Sequence, residues 1–108
     1  MIEVAFADEL LREVCSKKLA AESEYGVVVA KHLRSRIADI RAAENVAGLV
    51  TGNARIYGQN SYVIDIYKDW RLIFKANHPV NPLRTKKHID WSRVTRIQIT
   101  HIGPFNDA

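Results

Sequence analysis

The sequence predicts an α+β domain in which an N-terminal helix hairpin packs on one face of a small, mainly antiparallel sheet. Two observations carry this. Apolar residues recur at helical spacing from about residue 9 to residue 43, and after Asn53 the pattern changes to alternation. Runs of helices followed by runs of strands favour helices segregated to one sheet face over a βαβ alternation. The 108 residues suit one domain with a modest core.

The elements follow in order. Ile2, Val4 and Phe6 alternate with Glu3 and Ala5, which predicts a short first strand. Asp8 has the chemistry of a helix N-cap, and Glu9 to about Ala21 carries Leu10, Leu11, Val14 and Leu19 as one helix. A second helix is expected from Ser23 or Glu24 to about residue 43, with Tyr25, Val28, Val29, Leu33, Ile37 and Ile40 on its apolar side. Lys31, Arg34 and Arg41 form a basic stripe on another face. Residues 44–53, with Gly48, Gly52 and Asn53, have no sustained period and predict a connector.

Arg55 to Tyr57 gives a weak strand signal, and Tyr62 to Tyr67 and Trp70 to Lys75 give strong ones, with Lys68-Asp69 as a tight turn. Residues 76–92 hold Pro79, Pro82 and the cluster Arg84, Lys86, Lys87 and His88, which predicts an exposed excursion. A last strand spans residues 94–102 and ends at Gly103-Pro104.

Composition narrows the function. Sixteen Lys and Arg against twelve Asp and Glu leave a net charge of +4, with an isoelectric point near 9.4. That balance favours a polyanion or an acidic partner. One cysteine, Cys15, excludes an internal disulfide. His32, His78, His88 and His101 show no paired ligand spacing, so no metal and no cofactor is expected. No segment has the length or apolarity of a membrane span, and the first residues carry acids where a signal peptide carries bases. The expected location is the cytoplasm.

Side chains alternate along a strand, so each strand offers one face to the helices and one to solvent. Trp70, Leu72 and Phe74 belong under the helices, which turns Arg71 and Lys75 outward. The same count turns Asp65 and Tyr67 outward, together with Arg96, Gln98 and Thr100. The open face is expected to carry Arg71, Lys75, Arg96, Tyr67 and Asp65, a mixture suited to phosphate contact and base stacking. An ordinary polar surface, with Asp65 neutralising an arginine, fits the same residues. Strict alternation places His101 on the covered side with Ile97 and Ile99. Strand ends bulge, and an imidazole titrates near neutrality, so His101 is also a candidate acid or base.

Several segments resemble the HigB-like branch of the RelE/ParE toxin superfamily, the plasmid-maintenance killer proteins. These are IEVAFADELLREVC, VAKHLRSRIADIRAA, SYVIDIYKDWRLIFKA and IDWSRVTRIQITHIG, and the likeness runs from Ile2 to about Gly103. DWRLIF, Asp69 to Phe74, is the most specific, and IDWSRVT, Ile89 to Thr95, is nearly as telling.

The resemblance implies a toxin of a type II toxin-antitoxin system. Its action would be metal-independent, ribosome-dependent cleavage of mRNA, in which a 2′-hydroxyl attacks the adjacent phosphate. The partners implied are the ribosome, mRNA and a cognate antitoxin, a small helix-turn-helix protein that forms a hetero-oligomer with the toxin. The family's phosphate-gripping arginine maps onto Arg71. The family's terminal tyrosine and histidine fall at Phe105 and Asn106, and its second-strand histidine or lysine is replaced by a stretch with only Arg55 and Tyr57. The catalytic residues expected are therefore Arg71, His101, Arg55 and Tyr57, with Lys75, Arg96, Tyr67, Lys86 and Lys87 contacting RNA; a histidine of the long loop is the other candidate for the missing acid or base, and a weak or inactive member is the further alternative. A ParE-like inhibitor of DNA gyrase and a non-catalytic antitoxin-binding module are the alternatives.

Overall fold

The computed structural model describes residues 1–105. The fold is α+β, with three N-terminal helices on one face of a five-stranded mixed sheet. β1 (Glu3–Phe6) leads into α1 (Glu9–Ser16), whose first turn is capped by Asp8 accepting from Leu11 N–H at 2.9 Å. α2 is Lys18–Tyr25 and α3 is Val27–Ala42.

The expected helix hairpin is therefore three helices. The first break falls at Lys17, whose extended backbone separates α1, lying against β1 and the last strand, from α2, lying against α3. The second is Gly26, whose φ of +88° no helix accommodates and which starts the last helix three residues later than expected. The connector contains two short 3₁₀ turns, at Val46–Gly48 and Thr51–Asn53, and its Val46 is fully buried.

The remaining strands are β2 (Arg55–Tyr57), β3 (Ser61–Tyr67), β4 (Trp70–Ala76), β5 (Leu83–Thr85), β6 (His88–Ile89) and β7 (Arg96–Pro104). The sheet order is β1-β7-β4-β3-β2, antiparallel except for the parallel pair β1 and β7. β7 starts two residues later than expected and runs through Gly103-Pro104 instead of ending there. β1 pairs only with Arg96 to Ile99, so Pro104 lies on a stretch whose outer edge needs no N–H donor.

The 76–92 excursion is more ordered than its prolines suggest. β5 and β6 form a separate two-stranded hairpin, and Ile89 and Trp91 are buried in the main core, although Arg84, Lys86, Lys87 and His88 are exposed as expected. That core joins Val14, Leu33 and Ile40 of the helices to Ile64, Leu72, Phe74, Ile97 and Ile99 of the sheet. Burying each such side chain stabilises the fold by roughly 1.5–3 kcal/mol. Val63 and Ile73 are buried apart from that core, on the opposite face.

Two β-bulges flank the central strand. Between β3 and β4, Asp65 faces Arg71 and Tyr67 faces Trp70, so Ile66 is an extra residue. Between β7 and β4, His101 faces Ile73 and Ile99 faces Phe74, so Thr100 is extra. Thr100 Oγ1 donates to the Ile73 carbonyl at 3.2 Å. Each bulge reverses the alternation beyond it, which corrects two expectations. Tyr67 lies on the covered side, packed on the core with its ring 4.7 Å from His32 of α3. His101 lies on the open side and is exposed, while Ile102 is buried.

Candidate active site on the open sheet face

The strand register sets out the site in rows. Arg55, Val63, Ile73 and His101 lie across β2, β3, β4 and β7 in one row, and Asp65, Arg71 and Gly103 in the next. Val63 and Ile73 form an apolar floor, and the polar side chains stand around it.

One carboxylate oxygen organises the cations. Asp65 Oδ1 accepts from Arg55 Nη1 at 3.0 Å and lies 2.8 Å from Arg71 Nε. The Arg71 Nε–H does not point along that short contact, so this buried donor has an ion-pair neighbour but no aligned acceptor. Arg71 Nη1 donates to the Lys68 carbonyl at 2.6 Å. Among the described residues, two guanidiniums gather around this one carboxylate.

Asp65 is held from the other side of the strand. Arg36 of α3 donates through Nε to the Asp65 carbonyl at 2.9 Å and through Nη1 to Thr51 Oγ1 at 3.2 Å. Gly52, at φ +62°, makes this possible, because a Cβ there would come within 2.7 Å of the same carbonyl. The connector thus fixes the backbone that aims the Asp65 side chain.

Gly103 faces Arg71 across the ladder. A Cβ on Gly103 would sit 3.3 Å from His101 Nε2, a tight contact, so the glycine lets the imidazole pack close to the backbone there. Phe105 closes this end, with its ring edge-on to Tyr57 at 5.2 Å and 6.1 Å from His101. Its backbone N–H donates to the Asp69 carbonyl at 3.0 Å.

The fold therefore brings together Arg71, Arg55 and His101 of the residues expected in the site, and Tyr57, whose backbone lies opposite Ser61 one row away, reaches them through the Phe105 ring. Lys75 shares the open face but is exposed beside Ser61 and Gln98, one row beyond Ile73. Arg96 is roughly 20 Å along β7 from the row of Arg71, counting about 3.3 Å per residue, and pairs there with Glu3 at 3.3 Å. Lys86 and Lys87 sit at the tip of a hairpin whose Ile89 packs in the core of the other face. Tyr67 is also on that other face. Asn106 lies outside the described residues.

Sequence reasoning missed Gly103 and the packing role of Phe105. A glycine inside a strand often marks a close approach, and that signal was present.

Two other histidines have structural partners. His78 Nε2 accepts from Thr95 N–H at 3.1 Å, and His32 Nδ1 lies 2.9 Å from the Val28 carbonyl. Burial pushes the Cys15 thiol up to about 12 against the opposing pull of Arg41, which leaves it protonated and a poor nucleophile. Among the described residues no three His, Cys, Asp or Glu side chains converge on a metal-sized space. No helix among them is long and apolar enough to cross a membrane. No known protein family, no curated protein and no solved structure matches the chain.

Proposed function

We propose that the protein is a metal-independent endoribonuclease that cuts mRNA on the ribosome, the toxin of a type II toxin-antitoxin pair in the cytoplasm. The observation that carries this reading is the His101 imidazole packed beside Gly103, the residue that faces Arg71, with Arg55 in the same row as His101. Cleavage forms a bond from the 2′-oxygen to phosphorus and breaks the bond from phosphorus to the 5′-oxygen. His101 takes the 2′-hydroxyl proton, and the Tyr57 phenol supplies one to the leaving 5′-oxygen. Arg71 and Arg55 stabilise the charged phosphorane, a role suited to a planar, permanently charged fork.

The antitoxin, a small helix-turn-helix protein in hetero-oligomer with this chain, would meet the exposed Lys31 and Arg41 of α3 with an acidic segment.

A second reading is favoured by Asp65, which already takes one charge from the arginines, and by a phenylalanine at position 105. It makes the chain a non-catalytic antitoxin-binding module or, like ParE, an inhibitor of DNA gyrase. The product separates these readings: cut mRNA, stalled gyrase, or neither.

Arg71→Ala and Asp65→Asn decide between chemistry and simple support. Arg71→Ala should lower ribosome-dependent cleavage by at least on the order of a hundredfold, with the unfolding midpoint close to that of the parent. Asp65→Asn keeps both guanidiniums and should retain cleavage. If activity follows thermal stability in both variants, Arg71 only steadies the sheet and the catalytic reading fails.

A further inference from the structure

A half-enclosed cavity of about 440 Å³ lies on the helix-bearing side of the sheet, between β2, the start of β3 and the β5–β6 hairpin. It belongs to no part of the Arg71 cluster. Ile56, Tyr62, Ile89 and Trp91 supply its apolar surface, and Arg84 and His88 are among its polar lining. The Tyr62 ring is braced by Trp91 at 4.7 Å and by Phe74 at 5.8 Å, so the aromatic surface is rigid. Burial raises the Tyr62 phenol above its ordinary value, which keeps it neutral. Ile56 is 60% exposed despite lining the cavity.

Charge at the rim is predominantly positive. Residues 83–88 carry Arg84, Lys86, Lys87 and His88 and no acid. The nearby Asp90 carboxylate accepts from the Ser92 hydroxyl at 2.5 Å, lies 3.8 Å from Arg93 and also feels the charge of Arg84. His88 Nδ1 is held by Thr85 Oγ1 at 2.8 Å, which fixes the ring at the rim. A braced aromatic surface beside a predominantly cationic rim matches a ligand with a flat π-face and an attached anion. The volume falls within the roughly 300–1,000 Å³ of small-ligand sites.

We infer that this cavity binds one nucleotide, with the base against Tyr62 and Trp91 and the phosphate at Arg84. The nucleotide is either an unstacked residue of an RNA strand or a free nucleoside monophosphate, and the chemistry of recognition is the same. The RNA source rests on the endoribonuclease reading above. In that case the cavity is a second RNA contact on the face opposite the catalytic cluster.

Trp91 reports on the cavity directly. In a Trp70→Phe background it is the only tryptophan. Titration with adenosine or uridine monophosphate, and with a short single-stranded oligoribonucleotide, should quench its fluorescence. Arg84→Gln, at an exposed position, should weaken that binding at least about tenfold. Arg71→Ala should leave quenching by the monophosphates unchanged, because Arg71 is on the other face. Tighter binding of the oligonucleotide than of the monophosphates identifies an RNA strand as the source, and equal binding identifies the free nucleotide.

No quenching by either probe overturns the proposal. So does equal binding of inorganic phosphate alone, or quenching indifferent to Arg84→Gln. Quenching by an aspartate-rich peptide but not by nucleotides would make the cavity a protein-docking site and also overturn it. The titration needs no ribosome, so its failure is distinct from a failure of mRNA cleavage.

Discussion

The bulges on either side of β4 use the same device to opposite ends. The one in β3 inserts Ile66, which is 2% exposed and part of the main core, and turns the aromatic Tyr67 inward to His32. The one in β7 inserts Thr100, which is exposed and contributes one hydroxyl contact, and turns His101 outward over Gly103. One extra residue serves packing and the other serves the open face. A bulge is thus a change of parity, and the side chain that follows it decides what the change is for.

The comparison predicts very different sensitivities. Ile66→Ala should be the costliest, lowering stability by about 2–5 kcal/mol as large-to-small core changes do. Thermal unfolding reads this at about 4–8 °C per kcal/mol for a domain of this size. An Ile66→Ala protein as stable as the parent would show that the inserted residue is dispensable to the core.

His101→Gln comes next. It should leave the unfolding midpoint nearly unchanged, because the side chain is exposed, and lower mRNA cleavage by on the order of a hundredfold through loss of the proton acceptor. Full activity in this variant would mean that the β7 bulge has no catalytic purpose.

Thr100→Ala should have the smallest effect, about 1 kcal/mol for one hydrogen bond, read by chemical denaturation. Cleavage should persist, since the apolar positions of Ile99 and Ile102 still dictate the parity on each side of the bulge. A loss as large as that of Ile66→Ala would break the contrast.

Much of the architecture was legible. Alternation in Trp70 to Lys75 put Arg71 and Phe74 on opposite faces, and they are. Asp8 as a cap, Asp65 on the open face and the Lys68-Asp69 turn were equally readable. Tyr67 and His101 were placed on the wrong faces for one reason: each lies just past a bulge. The breaks at Lys17 and Gly26 were lost because apolar spacing runs through both, and only at Gly26 does a glycine mark the place.

By itself the sequence determined the fold class, the order of helices and strands, and which face of β4 carries its cations. These depend on periodicities of 3.6 and 2, which are local properties of the chain. Only the tertiary structure decided that His101 joins Arg71, that Asp65 bridges two arginines, and that the proline-rich segment returns to cover the core with Ile89 and Trp91. Each of these depends on which residue of a neighbouring strand stands opposite, and a shift of one residue moves every later side chain to the other face.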